Sequence, residues 1–320
     1  MTRVLVTGAN GFVGAAVTAR LAEDRRLSVY AAARKNVFET NADRIVRMPD
    51  LAQATFSPDF LAGIDCVVHA AGVAHVQRST SELGHEYIKQ TNIDGTLRLA
   101  REAVSKGVRR FIFISSIKVN GDCTPRDTPF GPDDAPNPRD PYSAAKHAAE
   151  LGLQALARET SLEVVIIRPA LVYGAGVRAN FLQMMRWLDL GIPLPLDKLK
   201  NLRSLVASKN LADLVSRCVS SSASANQTFL VSDGADLSTT ELLCLTAAAL
   251  GRRPRLFFLP SPVVRGIFGA LGRREAAGRL LDSLRADISK TRQMLDWTPP
   301  VSCADALHET ARHYLKSRLR

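Results

Sequence analysis

Paired cysteines are missing from this sequence. Its five cysteines, Cys66, Cys123, Cys218, Cys244 and Cys303, are odd in number, widely scattered and never in a C-x-x-C pair. That argues against a disulfide framework and against a zinc site, so reduced structural thiols and no metal are expected. Long apolar runs are missing as well. The first, Val4–Val6, is too short for a signal-peptide core or a membrane span, and a glycine loop follows it at once. The stretch "LFFLPSPVVRGIFGALG" is interrupted by Pro260, Pro262 and Arg265, which predicts a helix packed in a substrate domain rather than a segment skimming a membrane. No segment repeats at a fixed period, and no low-complexity linker exceeds the small polar run Ser220–Ala225, so any domains are closely joined. Neither an RNA-binding aromatic signature nor a helix-turn-helix spacing occurs. The expectation is a cytoplasmic protein with no nucleic-acid partner and no stable membrane insertion.

The 320 residues that remain to be explained are 46% apolar and 23% charged, the balance of an ordinary globular chain with room for one large core or two domains. Acidic charge is the scarce kind. The formal net charge is +11, and from Arg252 to Arg320 fourteen Lys or Arg stand against six Asp or Glu, a surplus of eight. Such a basic third suits an anionic ligand such as a nucleoside diphosphate, the alternative being a solvated basic face.

The densest signal is "VLVTGANGFVGAAV", with Gly8, Gly11 and Gly14 three apart. A β-branched run, a glycine turn and then "FVGAAVTARLAED" read as strand, tight loop and helix. Gly8 permits the turn, Gly11 admits a pyrophosphate close to the backbone, and Gly14 lets helix and strand pack, while the helix N-terminus supplies free N–H groups. The βα pattern continues through "LSVYAAAR", "DCVVHAAG", "RRFIFISS" and "LEVVIIRP", with helical stretches such as "NIDGTLRLAREAVSKG" between them. The predicted class is α/β, a doubly wound parallel Rossmann sheet with a smaller C-terminal substrate-binding domain. Residues 1–168 are assigned to the dinucleotide-binding part, 203–251 are expected to return to it, and 169–202 with 252–320 form the substrate domain. Where an NAD-binding fold places an Asp or Glu on the adenosine ribose, this chain has Arg34 and Lys35, which would welcome a 2′-phosphate; two solvated cations are the alternative.

Tyr142 and Lys146 in "PYSAAKHAAE" stand four apart, on one face of a predicted helix. An ammonium beside a phenol favours the phenolate, so a lowered tyrosine pKa is expected. Ser116, at the end of a strand, would hydrogen-bond the same substrate oxygen, because strand C-termini line the ligand crevice of such sheets.

With these motifs the chain resembles the extended short-chain dehydrogenases/reductases of the nucleotide-sugar epimerase and dehydratase group, over nearly its whole length. The resemblance rests on "TGANGFVG", "HAAG", "TNIDGT", "SSIKVNG", "YSAAK" and "RPALVYG". It implies cofactor contacts from Gly8, Asn10, Gly11, Phe12, Val13, Gly14, Asp50, Leu51, Ala70, Ala71, Gly72 and Pro169, shared by Tyr142 and Lys146, and a catalytic set of Ser116, Tyr142, Lys146 and Asn92. It also implies Asn180 and Phe181 near the substrate nucleotide and Arg203 near its diphosphate, although "RSLVASKN" lacks the aromatic, His and Asp usual in that segment. His75 falls where a substrate contact could lie, a structural histidine being the alternative. Ile117 and Lys118 replace the Asp–Glu pair of the 4,6-dehydratases, and Asn120 replaces the tyrosine usual in "VYG".

The expected activity is therefore a 4-keto reductase that uses NADP(H) on a UDP-linked 4-keto-6-deoxy-N-acetylhexosamine in surface polysaccharide biosynthesis. A UDP-glucose or UDP-N-acetylglucosamine 4-epimerase with tightly bound NAD is the alternative, and a non-catalytic dinucleotide sensor stands as the reading of another class. A UDP-sugar is the expected partner, and a homodimer is left open.

Overall fold

A computed structural model of the chain describes residues 1–34, 39–53, 55–73 and 82–318. Strand β1 (Thr2–Thr7) runs into helix α1 (Phe12–Ala22), and β2 (Leu27–Ala33), β3 (Arg44–Arg47) and β4 (Cys66–His69) follow. Next come α2 (Glu82–Lys89), α3 (Gly95–Ser105), β5 (Arg110–Ile114), α4 (Pro141–Glu159) and β6 (Glu163–Pro169). The second half holds β7 (Leu171–Tyr173), α5 (Ala179–Asp189), β8 (Arg203–Ala207), α6 (Ser208–Ser220), β9 (Thr228–Val231), β10 (Asp236–Leu237) and α7 (Thr239–Ala249). Helices α8 (Ser261–Ala270), α9 (Arg274–Leu281), α10 (Ser289–Leu295) and α11 (Cys303–Arg318) complete it.

Seven strands form one parallel sheet in the order β3-β2-β1-β4-β5-β6-β9. The strand order reverses between β1 and β4, so their C-terminal ends open a crevice at that point. Side chains alternate across the sheet as strand geometry requires. Val4 and Val6 enter a core shared with α1 and α6, while Leu5 faces a second core with α3 and α4. Each core covers one face, which is the doubly wound arrangement read from the sequence.

A smaller sheet, β10-β8-β7, stands beside a third core built from α5, α7, α11 and the α8–α9 pair. The chain weaves between these bodies. It leaves the large sheet after β6, returns with α6 and β9, leaves again with β10 and α7, and sends Leu295 and Trp297 back into the first core. Within 203–251, α6 and β9 pack in the first core, whereas α7 packs in the third.

Arg110 fastens one of these returns. It is buried, pairs with Glu163 at 2.6 Å, and donates through Nη1 to the carbonyls of Cys218, Val219 and Ser221 at the end of α6. Those carbonyls have no partner within the helix, and a cation is favoured at a helix C-terminus.

Three local differences from the sequence reading have physical causes. Strand β3 is short and its side chains are mostly exposed, so it carries no apolar pattern to read. The stretch expected as one helix from Asn92 begins instead with a wide π-helical turn, Gln90–Asp94, before α3. Helix α8 forms where a packed helix was expected, but Val264 is its one fully buried residue.

Candidate active site

The glycine loop leaves β1 at the point where the strand order reverses. Gly8 has φ +68°, and a Cβ there would lie 2.8 Å from the Ala71 backbone; one on Gly14 would fall on the carbonyl oxygen of Gly8. Only glycine fits both positions. Helix α1 starts behind Gly11 with no side chain capping its first turn. Its N–H groups and dipole are thus available to an anion, with Asn10 exposed and Phe12 and Val13 half-buried beside them. On the facing side Ala70 packs on the first core, the Ala71 N–H donates to Thr7 Oγ1 at 3.3 Å, and Gly72 lies against Asn92 and Lys146. Pro169 closes β6 opposite Val231. A turn so tight that only glycine fits it, leading into a helix N-terminus that no side chain caps, fits a dinucleotide pyrophosphate.

The Asp50–Leu51 turn borders this crevice. Asp50 Oδ1 accepts from the Ala52 N–H at 3.0 Å, and the Leu51 carbonyl accepts from Arg98 at 2.6 Å, while the Leu51 side chain joins the second core. Arg34 lies just past β2 with its side chain 70% exposed and its guanidinium 3.8 Å from the Asp50 carboxylate. Lys35 and His75 lie outside the described residues.

Helix α4 carries Tyr142 and Lys146 into the crevice. Asp140 caps it, accepting from the Ser143 N–H at 2.7 Å while Ser143 Oγ faces the Asp140 N–H, and Pro141 takes the first helical position. Lys146 is buried, with Nζ donating to the Ile114 carbonyl at 2.8 Å and lying 4.4 Å from the Phe113 ring centre. That places the ammonium at the end of β5, two residues before Ser116. Ser116 is half-buried and caps a 3₁₀ turn, Ile117–Val119, by accepting from the Lys118 N–H at 3.2 Å. Lys146 and Ser116 thus lie at the C-terminal end of β5, with the Tyr142 ring centre 5.9 Å from the Lys146 ammonium.

The charge balance differs from the sequence expectation. Burial, and then the Asp140 carboxylate, push the half-buried Tyr142 up to about 12, whereas burial draws Lys146 down to about 8 against the opposing pull of Glu150. The expected lowering of the tyrosine is absent because Nζ is 5.9 Å from the Tyr142 ring centre and bonds to a carbonyl instead.

Asn92 is buried in the π-helical turn, and both ends of its amide bond the same residue: Oδ1 accepts from the Val73 N–H and Nδ2 donates to the Val73 carbonyl, both at 2.9 Å. It braces the loop after β4. The residues replacing the dehydratase acids bring no acid either, since Ile117 is buried and Lys118 bonds to Asp140 and lies 3.5 Å from Asp122.

Beyond Lys146 lies a buried network that the sequence reading did not single out. Glu150 accepts from Ser115 Oγ at 2.5 Å and from Arg168 at 3.0 and 2.7 Å. Arg168 also donates to Asn120 Oδ1 and to the Pro132 carbonyl, and Asn120 Nδ2 reaches the Gly131 carbonyl. Asn120 thus acquires a role its sequence position did not reveal. The available signal was the four-residue step that carries Tyr142 to Lys146 and then to Glu150.

On the substrate side a cavity of about 480 Å³ opens between Thr124, Lys198–Asn201, Phe258, Ser261 and Leu281–Ser283. Arg203 stands next to it, half-buried, with Nη1 on the Asp282 carbonyl at 2.9 Å, and burial draws its pKa below the ordinary value. Its neighbours in the fold line the cavity and Arg203 itself does not. Asn180 is exposed in the first turn of α5. The ring of Phe181 is buried against Tyr173 at 5.5 Å, inside the third core rather than in the cavity. Among the described residues no cluster of side chains could hold a metal, and no helix is long and apolar enough to cross a membrane.

Sheet, glycine cradle and the serine–tyrosine–lysine set define a dinucleotide-binding enzyme of the extended short-chain dehydrogenase/reductase type. The chain belongs to the NAD dependent epimerase/dehydratase family, whose pattern matches residues 4–231. It is 40% identical over 320 residues to a UDP-glucose 4-epimerase of Vibrio cholerae, covering 99% of this chain and 97% of that one. A UDP-glucose 4-epimerase of Mycolicibacterium smegmatis is 29% identical over 98% of each chain. Among solved structures, MoeE5 in complex with UDP-glucuronic acid and NAD superposes with a TM-score of 0.78 at 25% identity, over 98% of this chain and 99% of that one.

Proposed function

We propose that this enzyme is a UDP-sugar 4-epimerase working with tightly held NAD, on UDP-glucose or UDP-N-acetylglucosamine. One observation carries the reading: a single proton-transfer group, Tyr142, stands at the crevice with Ser116 and Lys146, and the neighbouring positions that would supply a second acid and base hold Ile117 and Lys118. That equipment suits oxidation and re-reduction at one carbon and not elimination of water. The full-length similarity to a UDP-glucose 4-epimerase supports it further and favours it over the reductase expected from sequence.

NAD, when bound, would supply a hydride acceptor and donor at the sugar carbon. Tyr142 exchanges the proton of the C4 hydroxyl, Ser116 holds the same oxygen, and Lys146 supplies positive charge beside them. The cavity bearing Lys198, Lys200 and Phe258 holds the nucleoside diphosphate end. Gly8–Gly14, Asp50, Leu51 and Ala70–Gly72 hold the cofactor. A cytoplasmic setting belongs to this reading.

Arg34 favours a second reading, the NADP(H)-dependent 4-keto reductase. It is largely exposed at the place where an acid would hold a ribose hydroxyl. One experiment separates the two: purified protein is incubated with UDP-N-acetylglucosamine or UDP-glucose without added cofactor, and with NADPH plus a UDP-linked 4-keto-6-deoxy-N-acetylhexosamine. Accumulation of the 4-epimer supports the epimerase. Stoichiometric NADPH oxidation without any epimer replaces it with the reductase.

A further inference from the structure

Helix α8 turns only part of its surface to the protein. Val264 is buried and Phe268 packs on the third core, while Val263, Ile267 and Leu271 are 47%, 46% and 66% exposed. These three are four residues apart, so they form one continuous stripe down the outer face of α8 and into the residue that ends it. A ten-residue helix with branched aliphatic side chains aligned outward is not explained by packing within the chain.

The charge along the chain on either side of this stripe is one-sided. From Arg252 to Arg279 the sequence holds seven arginines and one acid, Glu275. Arg252 is tied to Asp189 and Arg265 to Asp282. Among the described residues Arg253, Arg255, Arg273 and Arg279 are exposed and have no ion-pair partner. An aliphatic stripe with unpaired arginines before and after it in the chain matches the boundary of a bilayer, where acyl chains begin just below anionic headgroups. Arginine stems can also lie along the apolar boundary while the guanidinium stays at headgroup level.

We propose that the outer face of α8, with the arginines on either side of it, docks reversibly on an anionic phospholipid surface. The contact is peripheral, since α8 is far too short to span a bilayer. Ser261, the first residue of α8, lines the substrate-side cavity, so docking would bring the mouth of that cavity near the membrane. The proposal stands apart from the choice between epimerase and reductase.

The test is co-sedimentation of the full-length protein with vesicles of phosphatidylglycerol and phosphatidylcholine, or of phosphatidylcholine alone. Binding is expected to the anionic vesicles and to be roughly tenfold or more weaker without phosphatidylglycerol or in strong salt, as the screening of surface charge requires. Ile267→Asp and the double variant Arg253→Glu with Arg273→Glu should each weaken it by about tenfold or more, through the apolar and the charged component separately. Both change exposed side chains, and an unchanged Tm and turnover would establish that they fold. Equal binding to both vesicle types, or variants that bind like the parent, would overturn the proposal. So would a dimer in sedimentation equilibrium that Ile267→Asp converts to monomer, because the stripe would then be covered by a second copy of the chain.

Discussion

Glu150 lies one helical turn beyond Lys146 and is clasped by Arg168 through two nitrogens, at 3.0 and 2.7 Å, inside a region where the carboxylate is 1% exposed. The pair joins helix α4 to the end of strand β6, and through Ser115 it joins both to the residue that follows β5. Removing one partner of such a pair strands a buried charge. Glu150→Ala should therefore cost about 3–5 kcal/mol of stability in urea unfolding. Glu150→Gln, which keeps the shape, should cost less and act on Lys146: without the carboxylate that holds its proton, the ammonium titrates lower, and the alkaline limb of the pH–rate profile moves to lower pH. An unmoved profile would reduce Glu150 to a packing role.

Tyr142→Phe should lower turnover by about 10²–10⁴, the usual worth of one general acid–base group. Cofactor binding, followed by fluorescence or calorimetry, should stay nearly unchanged, because the hydroxyl is not part of the glycine cradle. Near-parental activity would remove Tyr142 from the proton path.

Lys146 gives a stability signature independent of activity. Its folded pKa is drawn down to about 8 from 10.5, so between these values the unfolded chain holds a proton that the folded one has released. Stability from this group rises with pH across that window, and below pH 8 the cost of the buried charge is constant. The stability of the parent relative to Lys146→Met should thus climb by up to about 3 kcal/mol from pH 8 to 10.5. A flat difference in denaturant titrations would mean that the ammonium is better solvated than its burial implies.

Cofactor choice is tested at Arg34. Its guanidinium sits 3.8 Å from Asp50 with most of its side chain in water, so it can turn toward an added phosphate at little cost. Arg34→Ala should weaken NADP(H) binding by about tenfold and leave NAD binding within about twofold, as expected for loss of one charge-assisted contact. Equal losses for both dinucleotides would make Arg34 a brace for the Asp50 turn.

The parts of this site that lie close together in sequence were legible there. Gly8, Gly11 and Gly14 prescribe a backbone conformation at fixed spacing, and Tyr142 with Lys146 share a helical face by their step of four. The limits appear where contacts join distant segments. Nothing local in "VNG" pairs Asn120 with Arg168, 48 residues later. An apolar residue beside an asparagine reads equally well as lining or as core, and Phe181 stacks on Tyr173 in the core. The Tyr142 pKa also escaped sequence reasoning, since spacing predicts the lysine's proximity but neither the burial of the phenol nor that the ammonium already donates a hydrogen bond to the Ile114 carbonyl.

The repeated passage of the chain between the large sheet and the substrate-side core has a mechanical consequence. With β6 leaving, α6 and β9 returning, and α10 returning once more, several peptide links bridge the crevice instead of one. A protease that cuts a single loop, such as the exposed turn at Ala175 and Gly176 between β7 and α5, would leave a nicked molecule whose pieces stay interlocked through the Arg110 clasp on α6. For the same reason neither half can be expressed by truncation at one point; a self-sufficient dinucleotide-binding fragment would have to be assembled from three separate stretches of the polypeptide.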